Sequence, residues 1–87
     1  MKVKKRNGNF ENFNVEKIQT SLINSSLEKD PLNESDIRIL MKTILKKFTN
    51  YPQDVVPVEE IFDVIYSTLK ESGFPQTAEE YKTGTGR

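Results

Sequence analysis

The sequence has 87 residues, enough for one domain whose net stability we expect to be modest, on the order of several kcal/mol. It contains neither cysteine nor histidine, which excludes disulfides, thiolate metal sites and Ser–His or Cys–His catalysis. We therefore expect that the protein is not an enzyme. No apolar run approaches the ~20 residues that cross a bilayer, so the expected location is the cytoplasm.

The charge is unevenly distributed, although 13 basic and 13 acidic residues cancel over the whole chain. The first 17 residues carry five cations and two carboxylates, a local charge of +3 that leaves −3 for the rest. These charged residues are Lys2, Lys4, Lys5, Arg6, Glu11, Glu16 and Lys17. A basic end favours an anionic partner, whereas a neutral total is not typical of a dedicated DNA-binding protein.

The first stretch predicts a β-hairpin. Residues 2–6 alternate around Val3, the turn signal Asn7-Gly8 follows at once, and residues 10–13 form the return strand. In an extended strand Val3 and Lys5 share one face, and Lys4 and Arg6 lie on the opposite face. A two-stranded hairpin is marginal in water by itself, so we expect it to pack on the rest of the chain.

Two amphipathic helices are predicted next. Asn14 is a suitable N-cap for the first helix, which we expect to end near Lys29 because Asp30-Pro31 favours an extended or turn conformation. Asn33 or Ser35 caps the second helix, whose apolar residues recur at every third or fourth position. Each helix therefore has one apolar face to bury.

The second half of the chain predicts two further helices after a long connection. Residues 49–57 are predicted to be irregular, and a third helix begins near Val58. Gly73 is suited to end that helix, because glycine readily adopts the left-handed backbone conformation found there. The sequence Thr-Ala-Glu-Glu at residues 77–80 has the pattern of a capping box and predicts the start of a short fourth helix.

The order of these elements predicts the fold class. It is α+β, with an N-terminal β-hairpin packed over a small bundle of three to four helices. We expect the domain to span residues 1–82, with residues 83–87 as a flexible tail or linker. A chain of this size has little room for a deep cavity, so a ligand is expected in a surface cleft, under the hairpin or between chains.

The hairpin and the start of the first helix predict a binding site. If the hairpin folds over that helix, Lys5 or Arg6 converges with Lys17 near the helix N-terminus. Exposed N–H groups and the helix dipole also favour a polyphosphate there. Glu11, between the cations, is suited to accept hydrogen bonds from a ribose. The alternative is a solvated basic hairpin in which Glu11 forms a cross-strand ion pair, and spacing alone does not separate the two.

The third helix carries acidic residues in its first turns. Glu59, Glu60 and Asp63 could ligate a cation, since residues four apart face the same way on a helix. Acidic residues at a helix start far more often complement the helix dipole. We therefore expect no metal site built by the protein.

Residues 3–18 form the string Val-x-Lys-Arg-x-Gly-x-x-Glu-x-Phe-Asn-x-x-Lys-Ile. Two further motifs are Val58-x-Glu60-Ile61 in the third helix and Ala78-x-x-Tyr81 near the end. Together these residues resemble the ATP-cone domain, a regulatory domain of many ribonucleotide reductases and of a zinc-ribbon repressor of reductase genes. The resemblance covers nearly the whole chain, from residue 3 to about residue 81. The family fold, a hairpin lid over a four-helix bundle, agrees with the fold predicted above.

The resemblance implies a nucleotide site formed by the hairpin and the first helix. It implies that the strand at Val3 and Lys4 reads adenine through its backbone, with Ile18 packed near the base. The implied phosphate and ribose contacts come from Lys5, Arg6 and Lys17 and from Glu11 and Asn14, respectively. These roles are carried over from the family and do not follow from residue spacing.

The resemblance also implies a mode of action. Such domains bind ATP or dATP, usually with magnesium, and hydrolyse neither. The bound nucleotide changes how the domain packs against another copy or subunit. It thereby controls the oligomeric state or activity of a ribonucleotide-reductase-like partner or parent chain. Only a difference in affinity between two assembly states can produce such a switch.

Two positions depart from the family pattern. Val58, the ninth candidate binding residue, stands where the family often has a threonine whose hydroxyl can approach phosphate. Gly84 stands where many members have an aromatic or basic residue. These departures favour a second hypothesis, a degenerate cone that acts as a protein-interaction domain without nucleotide. A third hypothesis, nucleic-acid binding through the basic hairpin, conflicts with the neutral net charge.

Overall fold

The computed structural model describes residues 1–25 and 31–83. The elements in chain order are β1 (Lys2–Lys4), β2 (Phe10–Asn12), α1 (Val15–Ser25), α2 (Glu34–Thr49), β3 (Val55–Pro57), α3 (Val58–Glu71) and α4 (Pro75–Thr83). The strands form one sheet in the order β2-β1-β3, and α3 packs against α2, α4 and β3. This architecture confirms the predicted α+β class, with an N-terminal hairpin over a helical bundle.

The hairpin of β1 and β2 closes through a three-residue loop, residues 6–8. The Gly8 amide donates to the Lys5 carbonyl over 3.0 Å, and the Lys5 amide donates to the Asn9 carbonyl over 2.8 Å. Gly8 has a φ of +88°, in the left-handed region that favours glycine. The turn is therefore a tight turn followed by a glycine bulge, a common three-residue hairpin connection.

A third strand, β3, lies within the segment predicted to be an irregular connection, so that prediction is wrong for residues 55–57. β3 runs parallel to β1, with Val56 opposite Val3, and both valines are buried. The Lys2 amide also donates to the Asp54 carbonyl over 2.9 Å. A three-residue strand shows too little alternation to be recognised in the sequence, and its partner strand β1 lies far away in sequence, at the start of the chain.

The core lies between the sheet and the helices, on the apolar faces predicted from the sequence. Phe13, just after β2, packs against Phe48 of α2 with ring centroids 5.2 Å apart. The buried apolar residues are Val3, Ile18, Leu22, Leu40, Met41, Ile44, Phe48, Val56, Ile61, Ile65, Leu69, Ala78 and Tyr81. Because Val3 and Val56 belong to this set, the sheet is attached to the bundle by apolar burial.

The helix ends follow ordinary capping chemistry. Asn33 forms a capping box with Asp36: the Asn33 side chain accepts from the Asp36 amide, and the Asp36 carboxylate accepts from the Asn33 amide. α3 ends at Glu71, with Ser72 as its C-cap; Gly73 follows with a φ of +91°, and the Phe74 amide donates back to the Leu69 carbonyl over 2.9 Å. This is a Schellman arrangement, so the predicted role of Gly73 is confirmed.

The fourth helix begins earlier than predicted. α4 starts at Pro75, and Thr77 lies buried inside it, so the predicted capping box at residues 77–80 is wrong. Proline suits the first turn of a helix because its φ is already helical and its missing N–H would have no partner there. The local signal of Pro75 therefore outweighs that of Thr77.

Some expectations fall outside the described part of the chain. α1 is described as far as Ser25, so its expected end near Lys29 is not covered, and neither are residues 84–87 of the predicted tail. In residues 1–25 and 31–83, no helix has the length and apolar composition needed to cross a membrane.

We expect Val56→Ala to lower the free energy of unfolding by roughly 2 kcal/mol, because it removes two buried methyl groups and leaves a cavity. The neighbouring Val55 is 36% exposed, and Val55→Ala should change the free energy by no more than about 0.5 kcal/mol. Urea unfolding of both variants measures the difference. Equal losses in the two variants would contradict the assignment of Val56 to the core.

Candidate functional site

A surface cleft lies between the hairpin, α1, the start of α3 and the end of α4. Its volume is about 660 Å³, within the roughly 300–1,000 Å³ common for small-ligand sites. The lining residues are Val3, Lys5, Glu11, Phe13, Asn14, Glu16, Lys17, Ile18, Thr20, Ser21, Asn24, Val58, Ile61, Phe62 and Tyr81. The cleft is therefore in one of the expected places, under the hairpin.

Seven of the nine candidate residues line this cleft. They are Val3, Lys5, Glu11, Asn14, Lys17, Ile18 and Val58. Lys4 and Arg6 are not part of the lining. The structure thus brings together residues from the hairpin, the start of α1 and the start of α3, which are distant in sequence.

The floor of the cleft is apolar. Val3, Ile18 and Ile61 are each at least 93% buried, and Phe62 is half-buried beside them. Val3 and Lys5 both line the cleft, as expected for residues that share one face of β1. An apolar floor of this kind suits the face of a flat ring such as a nucleobase.

The rim of the cleft is charged. Lys17 donates to Glu11 Oε2 over 3.2 Å, and the ammonium of Lys5 lies 4.0 Å from the same oxygen. Glu16 also lines the cleft, so its lining includes two lysines and two glutamates. These formal charges cancel, and an anionic ligand must compete with Glu11 for both lysines.

Asn14 caps α1 at the rim. Its side-chain oxygen accepts hydrogen bonds from the Glu16 amide at 3.0 Å and the Lys17 amide at 3.3 Å. The predicted N-cap is therefore confirmed. Because Asn14 already satisfies two amides at this end, the helix acts on an anion mainly through its dipole and less through free N–H groups.

Arg6 pairs with Glu59 beside the cleft and is not part of its lining. It lies in the hairpin loop and donates through Nε and Nη2 to the two carboxylate oxygens of Glu59 in the first turn of α3; the Nη2–Oε2 distance is 3.1 Å. Its guanidinium carbon is 5.9 Å from the centre of the Phe62 ring. The hydrogen bond to Glu59 raises the pKa of Arg6 above its ordinary value.

The structure places Lys4 outside the cleft lining and Val58 within it. Lys4 is exposed on the central strand, opposite Phe10 of β2 on one side and Pro57 of β3 on the other. The neighbouring strands thus flank its backbone, and its side chain is not part of the cleft lining. Val58 does line the cleft, but its isopropyl group cannot donate a hydrogen bond to phosphate.

The cleft also contains polar residues that the sequence analysis did not single out. Glu16, Thr20 and Asn24 follow one another at intervals of four along α1, and Ser21 lies beside them. Ser21 Oγ donates to the Ile18 carbonyl at 2.7 Å and lies 3.0 Å from the Tyr81 hydroxyl. The sequence could have indicated these residues, because polar side chains recur at every fourth position of α1 on the face next to Lys17.

The described residues contain no group of three or more acidic side chains placed to hold a metal ion. Of the acidic residues considered for this role, Glu59 binds Arg6.

Residues 1–83 match the family model of the ATP cone domain. The match includes all described strands and helices, and therefore every element that lines the cleft. The chain therefore belongs to the ATP-cone family, whose members are nucleotide-binding regulatory domains that bind ATP or dATP.

A curated relative carries a related segment. The chain is 30% identical over 67 residues to the transcriptional repressor NrdR of Anaplasma phagocytophilum (strain HZ). The aligned region is 77% of this chain and 43% of that protein, so the chain spans less than half the length of the relative. The similarity therefore concerns the domain and not the whole repressor.

We expect Asn14→Ala to lower the free energy of unfolding by about 1 kcal/mol, because two amides at the start of α1 lose their acceptor. Asn24→Ala is the matched control, since Asn24 is exposed within the same helix. That change should be neutral or slightly stabilising because alanine is the better helix former. Urea unfolding measures both variants. If Asn14→Ala leaves the free energy of unfolding unchanged, Asn14 does not stabilise α1 as a cap.

Proposed function

We propose that this chain is an allosteric module that binds ATP or dATP with Mg²⁺ and controls a larger assembly without hydrolysing the nucleotide. The observation that carries the proposal is the cleft itself, with an apolar floor and a rim of Lys5, Glu11 and Lys17. Membership of the ATP-cone family supports the same conclusion.

Each part of a nucleotide has a suitable counterpart in the cleft. The base lies on the floor against Val3 and Ile18, where apolar contact compensates for its removal from water. Glu11 accepts hydrogen bonds from the ribose hydroxyls. Lys5 and Lys17 leave Glu11 to bind the phosphates, which offer more negative charge than one carboxylate.

The charge balance of the cleft explains why magnesium belongs in the proposal. Two lysines and two glutamates line the cleft, so these side chains provide no net positive charge for a triphosphate. Mg²⁺ offsets part of the phosphate charge and is commonly held by phosphate oxygens, water and few protein groups. Binding is therefore expected to be stronger with Mg-ATP than with ATP alone.

The proposed output is a change in assembly. A bound nucleotide contacts the hairpin, α1 and α3 at once, so it fixes their relative positions. If this arrangement favours one mode of self-association, or of packing on a ribonucleotide-reductase-like partner or parent chain, then the nucleotide shifts that equilibrium. A change of elution volume with nucleotide in gel filtration would report self-association directly.

One observation favours a second candidate function. Val58 lines the cleft without a hydroxyl, and the formal charges of the described lining residues cancel. A cone with these features could keep its fold and serve as a protein-interaction domain without nucleotide. The two functions differ in whether ligand stabilises the fold.

We expect Mg-ATP and Mg-dATP to stabilise the domain against heat, and Mg-GTP and inorganic triphosphate to do so much less. Ligand at 100 times its dissociation constant adds about 2.7 kcal/mol, which shifts the unfolding temperature by several degrees in a domain of this size. Equal shifts from all four compounds would indicate an unselective anion site. No shift from millimolar ATP or dATP would support the interaction domain instead.

Lys17→Gln should weaken Mg-ATP binding about tenfold, because it removes a charged hydrogen bond to phosphate. Lys42→Gln is the control, since Lys42 is exposed on α2 and does not line the cleft. It should leave the dissociation constant within about twofold of the parent value. Isothermal titration measures both, and equal weakening would show only a general effect of net charge.

A further inference from the structure

The ion pair between Arg6 and Glu59 joins the hairpin loop to the first turn of α3, next to the cleft. Arg6 directly follows Lys5, which lines the hairpin wall, and Glu59 directly follows Val58, which lines the α3 wall. The Arg6 guanidinium also lies over Phe62, a third lining residue. The contact therefore joins two of the segments that line the cleft, the hairpin and the start of α3.

We propose that Glu59 acts as an autoinhibitory residue, holding Arg6 away from the phosphates until a nucleotide displaces it. This inference rests on the proposed nucleotide function. The Glu59 carboxylate accepts two of the five Arg6 N–H donors, one from Nε and one from Nη2. Binding then includes an exchange, in which Arg6 leaves Glu59 and pairs with phosphate oxygens.

The charge balance of the cleft supports this exchange. Among the residues that the structure describes, the formal charges of the two lysines and two glutamates in the lining cancel, and Arg6 is adjacent in sequence to the lining residue Lys5. Guanidinium groups pair with phosphate through two parallel hydrogen bonds, the same geometry that Arg6 now uses with Glu59. A polyphosphate carries more charge than the carboxylate it replaces, so the exchange favours the nucleotide.

Solvent exposure keeps the ion pair weak enough to open. The Arg6 and Glu59 side chains are 67% and 54% exposed, so water and salt screen their attraction. An exposed pair of this kind changes a binding equilibrium by about two- to fivefold. Glu59 therefore adjusts nucleotide affinity without preventing binding.

The test is isothermal titration of the whole chain with Mg-ATP. Glu59→Gln should bind about two- to fivefold more tightly than the parent protein, because Arg6 is released. Glu60→Gln is the matched control: it removes the same charge one residue away, from an exposed side chain outside the cleft lining. Its dissociation constant should stay near the parent value.

A double-mutant cycle assigns the gain to Arg6. In an Arg6→Gln background, Glu59→Gln should no longer tighten binding, because there is no guanidinium to release. The affinity ratio between Glu59→Gln and the parent should also approach one in high salt, which screens the exposed pair. The double-mutant result would distinguish the Arg6–Glu59 ion pair, here called the latch, from a general effect of negative charge, which does not require Arg6.

Different results would contradict the role of Glu59 and the proposed nucleotide binding. If the parent protein binds Mg-ATP and Glu59→Gln binds no more tightly, the latch is wrong and the nucleotide function stands. An equal gain from Glu60→Gln, or a gain that persists without Arg6, would also overturn it. If neither the parent nor Glu59→Gln binds nucleotide, the proposed function fails and the latch fails with it.

Discussion

The parallel pairing of β1 with β3 is the contact on which the arrangement of the cleft depends. Val3 and Val56 lie opposite each other in this pair and are both buried. Because the two strands run in the same direction, the hairpin loop after β1 and the first turn of α3 after β3 lie at the same end of the sheet. This common end brings Arg6 to Glu59 and forms two walls of the cleft.

Electrostatic balance is the main constraint on what the cleft can bind. Glu11 accepts from Lys17 and lies 4.0 Å from Lys5, so one carboxylate oxygen holds both lysines inside the rim. This contact orients the two lysines, but the Glu11 carboxylate then competes with any anionic ligand for them. Because these groups are partly exposed, each competing interaction is weak, and a multiply charged ligand is favoured over a singly charged one.

The hairpin loop and β2 form the part of the sheet best suited to respond to a ligand. None of residues 5–12 is buried, β2 has three residues, and the loop is joined to α3 by an exposed ion pair. Elements with few buried contacts open or shift at lower free energy than core helices. A ligand that contacts both the hairpin and α3 would therefore alter their relative positions more readily than it would alter the packing of α2 against α3.

The family assignment and the structure agree about the domain, and the similarity to the repressor extends no further than the domain. Residues 1–83 match the ATP cone domain, whereas the aligned region is 43% of the repressor. A regulatory effect requires that the nucleotide bind two assembly states with different affinity. The cleft is the candidate ligand site. We propose that a nucleotide bound there changes how the domain packs against a partner.

Local signals in the sequence were sufficient to predict the helices and the hairpin. The periodic apolar residues of α1 to α3, the caps at Asn14 and Asn33 and the stop at Gly73 each depend on neighbours within a few positions. The roles of the candidate site residues came instead mainly from the resemblance of residues 3–18 to the ATP-cone family. The α+β class could therefore be predicted from local patterns, and seven of the nine candidate residues line the cleft.

Contacts between distant segments determine the features that the sequence did not reveal. β3 has three residues and becomes a strand only because β1 pairs with it, so no local pattern indicated it. Arg6 was expected at the phosphates but is held by Glu59, and the side chain of Lys4 lies outside the cleft on the central strand. Local patterns specify helices and turns, whereas which side chains meet depends on the path of the whole chain.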